Sequence, residues 1–302
     1  MNLLVTGAWQ GFQDNKTAIE RLGHKTAFLQ WEKDPLPVDS AWVEGIIGNG
    51  IFLSHPIEQF VNLKYIQLTS AGYDRVPMDY VKSHGITIHN ARGVYSIPMA
   101  EYAVGGVLSL YKRLPYFYKN QEKKHWEKAR GLQELYGKTV LILGCGSVGT
   151  ECAKRFAGFG CRVIGVDQYP REDENYREMS GPDRLDELLA KADVTVVTLP
   201  LTEETYHLLD ERRLGLIKAE AILVNISRGA VVNQSALKAA VLDHRLGGAV
   251  LDVFEEEPLD ENSGLWELPN VIITPHNSFV GEGNGERLTE LILHYLGVKN
   301  AC

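Results

Sequence analysis

The fold of this chain is decided by the stretch TVLILGCGSVG, residues 139–149. Its apolar start, Thr139–Gly144, is typical of a strand covered on both faces, and a helical pattern follows from Thr150 to Phe159. In such a turn the first glycine permits a tight bend, the second lets a pyrophosphate approach the backbone, and the third lets the helix pack on the strand. The stretch therefore predicts a dinucleotide-binding unit. The residues expected at the phosphates are Gly144, Gly146, Ser147, Val148 and Gly149.

An acidic residue completes this motif. The next strand ends at Asp167, eighteen positions after Gly149, where a carboxylate can accept hydrogen bonds from the ribose hydroxyls. The competing interpretation, in which the glycines merely turn the chain and Asp167 caps a strand, is less favoured. A carboxylate there repels a 2′-phosphate, so NAD is preferred to NADP, although the nearby Arg171 keeps NADP open.

Two series of short apolar runs alternate with helical segments, which predicts an α/β protein with parallel sheets. The first series is Leu3–Thr6, Gly45–Gly48, Tyr65–Thr69 and Thr87–His89. The second is Thr139–Gly144, Arg162–Asp167, Val194–Pro200, Ala221–Ser227, Gly248–Phe254 and Val271–Thr274. Ser96–Arg113 is expected to be a bridging helix. We therefore expect two Rossmann-like or flavodoxin-like domains with an inter-domain cleft.

Composition narrows the class of protein. A length of 302 residues suits two domains, and a net charge of -8 with scattered basic residues disfavours nucleic acid and anionic membranes as partners. The sequence has neither a leader pattern nor an apolar run long enough to span a membrane. Its four cysteines show no zinc-ligand spacing, so we expect a cytoplasmic protein without a metal.

Three polar residues follow strands of the second series. Arg228, Glu257 and His276 stand just past three carboxyl ends, where ligands bind in open α/β sheets. An arginine can grip a carboxylate in a planar fork and polarise a carbonyl, and a histidine can protonate a developing alkoxide. A glutamate within reach would orient the histidine and stabilise its charged form. Taken alone, each residue also has a purely structural interpretation. Arg228 could be a loop cation, Glu257 part of a solvated acidic run and His276 part of a turn.

These motifs resemble the D-isomer-specific 2-hydroxyacid dehydrogenases, NAD-dependent enzymes that interconvert 2-oxo acids and D-2-hydroxy acids. The matching stretches are the Gly144–Gly149 loop with Asp167, Thr198–Thr205, Asn225–Ala230, Leu251–Leu259, and Leu265-Trp266 through Thr274–His276. The resemblance is strong from about Asn90 to Asn277 and looser at Ser70–Asp74. It implies that Arg228 binds substrate, that His276 is the acid/base and that Glu257 supports it.

The resemblance also implies roles for other residues. Those expected to border the cofactor are Leu199, Pro200, Thr205 and Asp252, and those expected to bind the substrate are Ser70, Ala71, Gly72, Arg228 and His276. It implies a substrate domain of residues 1–97 plus 280–302, an NAD-binding Rossmann domain of residues 98–279, and a homodimer formed through the NAD domain. Two departures from the family pattern, Asn233-Gln234 and Asn277-Ser278, leave the substrate unidentified.

Several alternatives stay open. A phosphoglycerate-type substrate is less expected than a small oxo acid, because no arginine or lysine adjoins the Asn49-Gly50 turn in sequence. An NAD(H)-binding corepressor-like interaction protein is a second alternative. Phosphite oxidation is disfavoured because no lysine adjoins Ala71 in sequence, and formate oxidation because Glu257 is the expected partner of the histidine. An apolar wall made of Tyr73, Met99 and Ile51 is no more expected than plain packing. Cys145 is expected to be a small residue that fits the packing of the glycine-rich loop, and redox sensing is the alternative.

Overall fold

The computed structural model describes residues 1–297 and divides into two units. The first comprises Met1–Tyr95 and Gly281–Cys302, described as far as Gly297, and the second comprises Ser96–Val280. Residues 298–302, which include Cys302 and the end of the expected substrate-binding segment, lie outside the described residues.

The first unit is built on one parallel sheet. Its strands are β1 (Asn2–Thr6), β2 (Lys25–Leu29), β3 (Gly45–Gly48), β4 (Tyr65–Leu68) and β5 (Thr87–His89). Its described helices are α1 (Phe12–Arg21), α2 (Met78–Ser83) and α9 (Asn284–Leu296). The strand order is β2-β1-β3-β4-β5, and every pairing is parallel. Alternate residues of β1 enter two different hydrophobic clusters, Leu3 on one face and Leu4 on the other, so the sheet is covered on both sides.

The second unit is built on a larger parallel sheet. Its strands are β6 (Thr139–Leu143), β7 (Arg162–Val166), β8 (Glu178–Ser180), β9 (Val194–Val197), β10 (Ile222–Asn225), β11 (Gly248–Leu251) and β12 (Val271–Ile273). Its helices are α3 (Ser96–Tyr111), α4 (Leu114–Glu122), α5 (Ser147–Gly158), α6 (Leu185–Leu189), α7 (Glu211–Leu214) and α8 (Gln234–Leu242). The sheet again separates two hydrophobic clusters, because Leu141 faces one and Val140 the other.

The strand order of the second sheet places its ligand-binding edge. The order is β12-β11-β10-β9-β6-β7-β8, so the chain runs outward from β6 in one direction and then returns to build the other half from β9. In open parallel sheets the crevice at such a reversal, at the carboxyl ends of the strands, is where ligands bind. The turn that begins at Gly144 leaves β6 at this point.

The structure confirms the predicted fold class, with two differences in detail. Several predicted strands stop early; for example, β9 ends at Val197 and β10 at Asn225, and the polar residues after them form loops. The prediction also omitted β2 and β8. Both lie at the edge of a sheet and are only partly buried, so they lack the continuous apolar run that marks the central strands. Among residues 1–297, no helix is long and apolar enough to cross a membrane.

Candidate active site

Three neighbouring strands carry the predicted catalytic residues. β10, β11 and β12 are adjacent and parallel, so their carboxyl ends lie along one edge of the sheet. Arg228 follows β10, Glu257 follows β11 and His276 follows β12. The strand order therefore brings together, at one edge, side chains that are distant in sequence.

His276 and Glu257 form a direct hydrogen bond. His276 Nδ1 lies 2.8 Å from Glu257 Oε2, and Glu257 Oε1 accepts the backbone N–H of Phe254 at 3.1 Å. A carboxylate can only accept, so Nδ1 carries the proton in this contact and Nε2 is left to exchange one with a ligand. Both side chains are partly exposed, at 43% for His276 and 37% for Glu257, so an incoming molecule can reach them.

The backbone at His276 has an unusual conformation that Asp252 supports. His276 has a φ of 51°, in the left-handed region, and its N–H donates to the carbonyl of Asp252 at 2.8 Å. The carboxylate of Asp252 is buried and accepts the N–H groups of Asn277 and Ser278 at 2.7 and 2.9 Å, as well as the hydroxyl of Thr274. These contacts fix the turn on both sides of the histidine. The departure Asn277-Ser278 thus contributes two backbone donors to that turn.

Arg228 lies in a turn that packs against the segment leading to Glu257. The buried Asn225 binds the carbonyl of Arg228 through Nδ2 at 3.0 Å, and Arg228 Nη1 donates to the carbonyl of Ser227 at 2.8 Å. A Cβ at Gly229 would lie 1.9 Å from the carbonyl carbon of Phe254, so only glycine permits this approach. The Arg-Gly dipeptide therefore holds the arginine turn beside the loop that carries Glu257.

The glycine-rich loop fits a dinucleotide phosphate. Gly144 has a φ of 92°, and a Cβ at Gly149 would lie 2.1 Å from the carbonyl oxygen of Gly144, so helix α5 packs closely on the loop. Gly146 is different, because a Cβ there would meet nothing within 4 Å. The open space beside Gly146 and the amides that begin α5 at Ser147 suit an anion.

Asp167 joins the end of β7 to the glycine loop. Its Oδ2 accepts the N–H of Cys145 at 2.7 Å, and its Oδ1 accepts the N–H of Tyr169 at 2.9 Å. Arg171 reaches the same loop, since its Nη2 donates to the carbonyl of Cys145 at 2.7 Å. A carboxylate and a guanidinium thus flank one loop residue.

Cys145 itself is a packing residue. Its side chain is fully buried, and burial raises the pKa of its thiol to about 12, so the reactive thiolate is disfavoured. A Cβ at Gly165 would lie 2.4 Å from its sulfur, which shows how closely the thiol fills the space above β7. The structure thus favours the packing interpretation over redox sensing.

The residues after β9 form a tight turn beside the glycine loop. Thr198 Oγ1 donates to the carbonyl of Gly144 at 2.6 Å, a contact that the sequence prediction did not include. Leu199 follows directly, and Thr205 Oγ1 donates to the carbonyl of Pro200 at 2.7 Å. The Thr205 hydroxyl also accepts the N–H of Thr202 at 2.7 Å, so it shapes the turn.

In the first unit, the loop after β4 has free amides and occupied carbonyls. The carbonyls of Ser70 and Ala71 accept Ala91 N–H and Asn90 Nδ2, at 2.9 and 2.6 Å. The carbonyl of Gly72 accepts the hydroxyl of Ser70 at 3.2 Å. The N–H groups of Ala71 and Gly72 donate to no acceptor among residues 1–297. Two such amides suit a carboxylate.

The structure of the first unit bears on two points that the sequence left open or missed. Ile51 is buried in the core of that unit, where it packs rather than forming an exposed wall, whereas Tyr73 is exposed. The side chain of Arg75 does reach the Asn49-Gly50 turn, with Cδ 3.5 Å from the position of a Cβ at Gly50. The charged group that binds the turn is the carboxylate of Glu32, which accepts the N–H groups of Asn49 and Gly50 at 2.6 and 2.7 Å. Sequence proximity missed Arg75, which reaches the turn from the loop after β4. In the second unit, Met99 packs against the hydrophobic core.

The chain is similar in sequence to known proteins. A family model described as D-isomer specific 2-hydroxyacid dehydrogenase, NAD binding domain, matches residues 104–278. The glyoxylate reductase of Korarchaeum cryptofilum is 31% identical over 288 residues, which cover 93% of this chain and 81% of that protein.

Solved structures agree with the sequence comparison. A D-isomer specific 2-hydroxyacid dehydrogenase family protein from Aeromonas salmonicida subsp. salmonicida superposes with a TM-score of 0.84 at 31% identity, covering 99% of this chain and 96% of that one. The Aquifex aeolicus D-lactate dehydrogenase, complexed with NAD and lactic acid, has a TM-score of 0.79 at 28% identity, covering 98% and 94%.

Proposed function

This chain belongs to the D-isomer-specific 2-hydroxyacid dehydrogenases, and we propose that Arg228, Glu257 and His276 are its catalytic residues in the reduction of a short 2-oxo acid. The enzyme class and the use of NAD follow from the family. The observation that carries the residue assignment is the 2.8 Å contact between His276 and Glu257 beside the Arg228 turn.

Each of the three side chains has a distinct task. NADH, when bound, supplies the hydride that reduces carbon 2 of the oxo acid. His276 Nε2 gives a proton to the carbonyl oxygen as it gains negative charge, and in the reverse direction it accepts that proton from the hydroxyl. Glu257 holds the imidazole by Nδ1 and stabilises its charged form before the transfer. Arg228 pairs with the substrate carboxylate and polarises the carbonyl.

The cofactor would be held by the loops at the reversal of the second sheet. The residues at the pyrophosphate would be Gly144, Gly146, Ser147, Val148 and Gly149, and Asp167 would bind the ribose. The loop after β9 would border the rest of the cofactor with Leu199, Pro200 and Thr205. Asp252 would approach the nicotinamide amide, although both of its oxygens already serve the His276 turn.

Charge at Asp167 is expected to set the preference for NADH. Asp167→Asn should reduce the ratio of kcat/KM for NADH to that for NADPH by roughly tenfold or more, because a carboxylate no longer repels the 2′-phosphate. The ratio is measured by steady-state kinetics with each cofactor in turn. Glu172→Gln, an exposed carboxylate on the same loop, is the control. An unchanged ratio in Asp167→Asn would show that its charge does not discriminate between the cofactors.

The substrate class is proposed from the first unit and from the relatives. The unoccupied amides of Ala71 and Gly72, with Ser70 beside them, suit the carboxylate of the oxo acid. Arg75 reaches the Asn49-Gly50 turn, but the carboxylate of Glu32 occupies the amides of that turn and disfavours a phosphate there. Similarity to a glyoxylate reductase and a D-lactate dehydrogenase also supports a non-phosphorylated substrate. We therefore name glyoxylate and pyruvate as the first candidates.

A direct test is turnover of a panel of oxo acids with NADH. Glyoxylate, pyruvate, 2-oxoisocaproate, phenylpyruvate and phosphohydroxypyruvate would be compared by the loss of NADH absorbance, with the D- and L-products of the chiral reactions resolved. We expect the short acids to have the highest kcat/KM and the D-product to form. Binding of NADH without turnover of any oxo acid would favour the corepressor-like alternative.

We also propose that the protein is a homodimer formed through the second unit. The segment between α4 and β6 contains neither helix nor strand, and it holds Trp126, whose surface is 96% exposed. The exposed Tyr136 lies on the same segment, and the exposed Tyr118 lies on α4, which precedes it. Exposed aromatic residues grouped in this way are typical of a protein interface.

Removal of Trp126 is expected to weaken this dimer. Trp126→Ser should raise the dissociation constant of the dimer roughly 10–100-fold, since tryptophans often dominate binding energy at interfaces. Light scattering over a dilution series measures the change. Trp31→Ser, which removes an exposed tryptophan from the first unit, should leave the dissociation constant unaltered. Equal behaviour of the two variants would place the interface elsewhere.

The proposed location is the cytoplasm. Cys145, Cys152 and Cys161 are free thiols, which suits a reducing compartment. Fractionation of the source cells, with immunodetection of the protein, tests this location.

A further inference from the structure

The turn that carries Arg228 contacts two segments that are distant in sequence, one on each side. On one side, the N–H of His207 donates to the carbonyl of Ala230 at 2.7 Å. On the other, Gly229 packs against the backbone of Phe254 and Glu255, where a Cβ would lie 2.5 Å from Glu255 N. The position of the arginine turn therefore depends on both flanking segments.

Glu255 ties these flanks together. Its Oε1 lies 3.1 Å from His207 Nε2 and accepts the backbone N–H of Gln234 at 2.7 Å. In return, Gln234 Oε1 accepts the N–H of Glu255 at 3.2 Å. The side chains of His207 and Glu255 are 25% and 31% exposed, so the protein covers most of each side chain, although water can reach the hydrogen bonds themselves. Three residues from three segments thus form one closed cluster around the turn.

The direction of the hydrogen bonds in the cluster is fixed by Asn233. Asn233 Oδ1 accepts Ala236 N–H at 2.9 Å at the start of α8, so its Nδ2 group faces His207 Nδ1, 3.4 Å away. An amide nitrogen can only donate, so His207 Nδ1 accepts this hydrogen bond. His207 Nε2 then donates a hydrogen bond to Glu255. The pair Asn233-Gln234 supplies both the cap of the helix and the contacts that order this cluster.

We propose that His207, Glu255 and Gln234 are positioning residues for Arg228 and for the loop that holds Glu257. This inference rests on the proposed function of Arg228 and Glu257. Glu255 precedes Glu257 by two residues, and Phe254 N–H donates to Glu257 Oε1 at 3.1 Å, so the same short segment carries the cluster and the partner of His276. Loss of the cluster frees the arginine turn without removing any group that touches the substrate.

Glu255→Ala is the main test, with Glu256→Ala as its matched control. Glu256 is the next carboxylate in the same acidic run and makes no hydrogen bond or ion pair within the described part of the chain. In Glu255→Ala, kcat/KM for the oxo acid should fall roughly tenfold, because small displacements of a substrate-binding group carry large costs, while KM for NADH should not change. Glu256→Ala should match the wild type in both. Glu255→Gln keeps the oxygen acceptor and should recover most of the activity.

The outcomes are distinguishable. The proposal is overturned if the two alanine variants have equal oxo-acid kinetics, or if Glu255→Gln is as impaired as Glu255→Ala. Should Glu255→Ala fail to fold, Gln234→Ala removes one acceptor from the cluster, and a loss of roughly threefold in the same parameter is expected.

One readout does not depend on turnover. Hydrogen exchange at residues 207–209 and 229–236 should be faster in Glu255→Ala than in Glu256→Ala, because the cluster no longer holds these segments. Equal exchange rates in the two variants would reject the proposal that the cluster holds these segments, even if the wild type reduced no oxo acid. An inactive wild type that shows the expected difference in exchange would instead reject the proposed function.

Discussion

Replacement of His276 by alanine should lower kcat for oxo-acid reduction by roughly 10²–10⁴-fold, the usual contribution of a general acid. The imidazole is placed to deliver a proton because its Nδ1 is held by Glu257 at 2.8 Å and its backbone N–H is held by Asp252 at 2.8 Å. Without the ring, water must protonate the oxygen as it gains charge. Binding of NADH, measured by fluorescence titration, should remain as in the wild type.

Two further variants sharpen this result. Glu257→Gln keeps an acceptor for the imidazole but removes the negative charge, so its kcat should fall less, roughly tenfold. Glu256→Gln alters the neighbouring carboxylate and should have normal kcat. Near-normal turnover in His276→Ala would show that His276 is not the general acid. Equal kcat values in Glu257→Gln and Glu256→Gln would show that the charge of Glu257 does not assist it.

Arg228→Lys should lower kcat/KM for the oxo acid by roughly 10²-fold, with changes in both kcat and KM. A guanidinium presents two parallel N–H groups to a carboxylate, whereas an ammonium is a point charge that cannot reproduce this geometry. The turn itself should survive, because Asn225 binds the backbone carbonyl of Arg228 and Gly229 makes the close contact with Phe254. Steady-state kinetics with the oxo acid and with NADH varied separately provide the measurement.

Arg245→Lys is the control for this substitution. Arg245 lies in the same unit and pairs on the surface with Asp243 at 3.3 Å, an interaction that lysine can largely replace. Its kinetics should match the wild type. If Arg228→Lys changed only KM for NADH, Arg228 would bind the cofactor rather than the substrate.

Much of the architecture was predictable because it depends on local pattern. Central strands such as β6 and β10 are buried on both faces, so their apolar runs are continuous. The glycine spacing after β6 is typical of a dinucleotide-binding loop. The fold class, the family, the enzyme class and the use of NAD are confirmed. The edge strands β2 and β8 escaped the prediction because their sequences, KTAFL and EMS, include charged and polar residues that interrupt such a run.

Parts of the candidate site were not predictable. Asp252 was expected beside the nicotinamide, yet its carboxylate also holds the turn around His276. Arg75 reaches Gly50 across twenty-five positions of sequence, and no local pattern announces that contact. Glu255 belonged to an acidic run that looked merely solvated, but it binds His207, forty-eight positions away.

The sequence by itself determined the kinds of residue that end each strand and the glycines that let backbones approach one another. Burial produces apolar runs, and unusual backbone conformation favours glycine, so both can be read from local sequence. Only the tertiary structure decided which of those residues meet. The order of β10, β11 and β12 and the close contact at Gly229 set the partners of Glu255 and Glu257. Such partnerships depend on how loops fold after the strands end, where side-chain hydrogen bonds replace the regular ladder and no periodic signal remains.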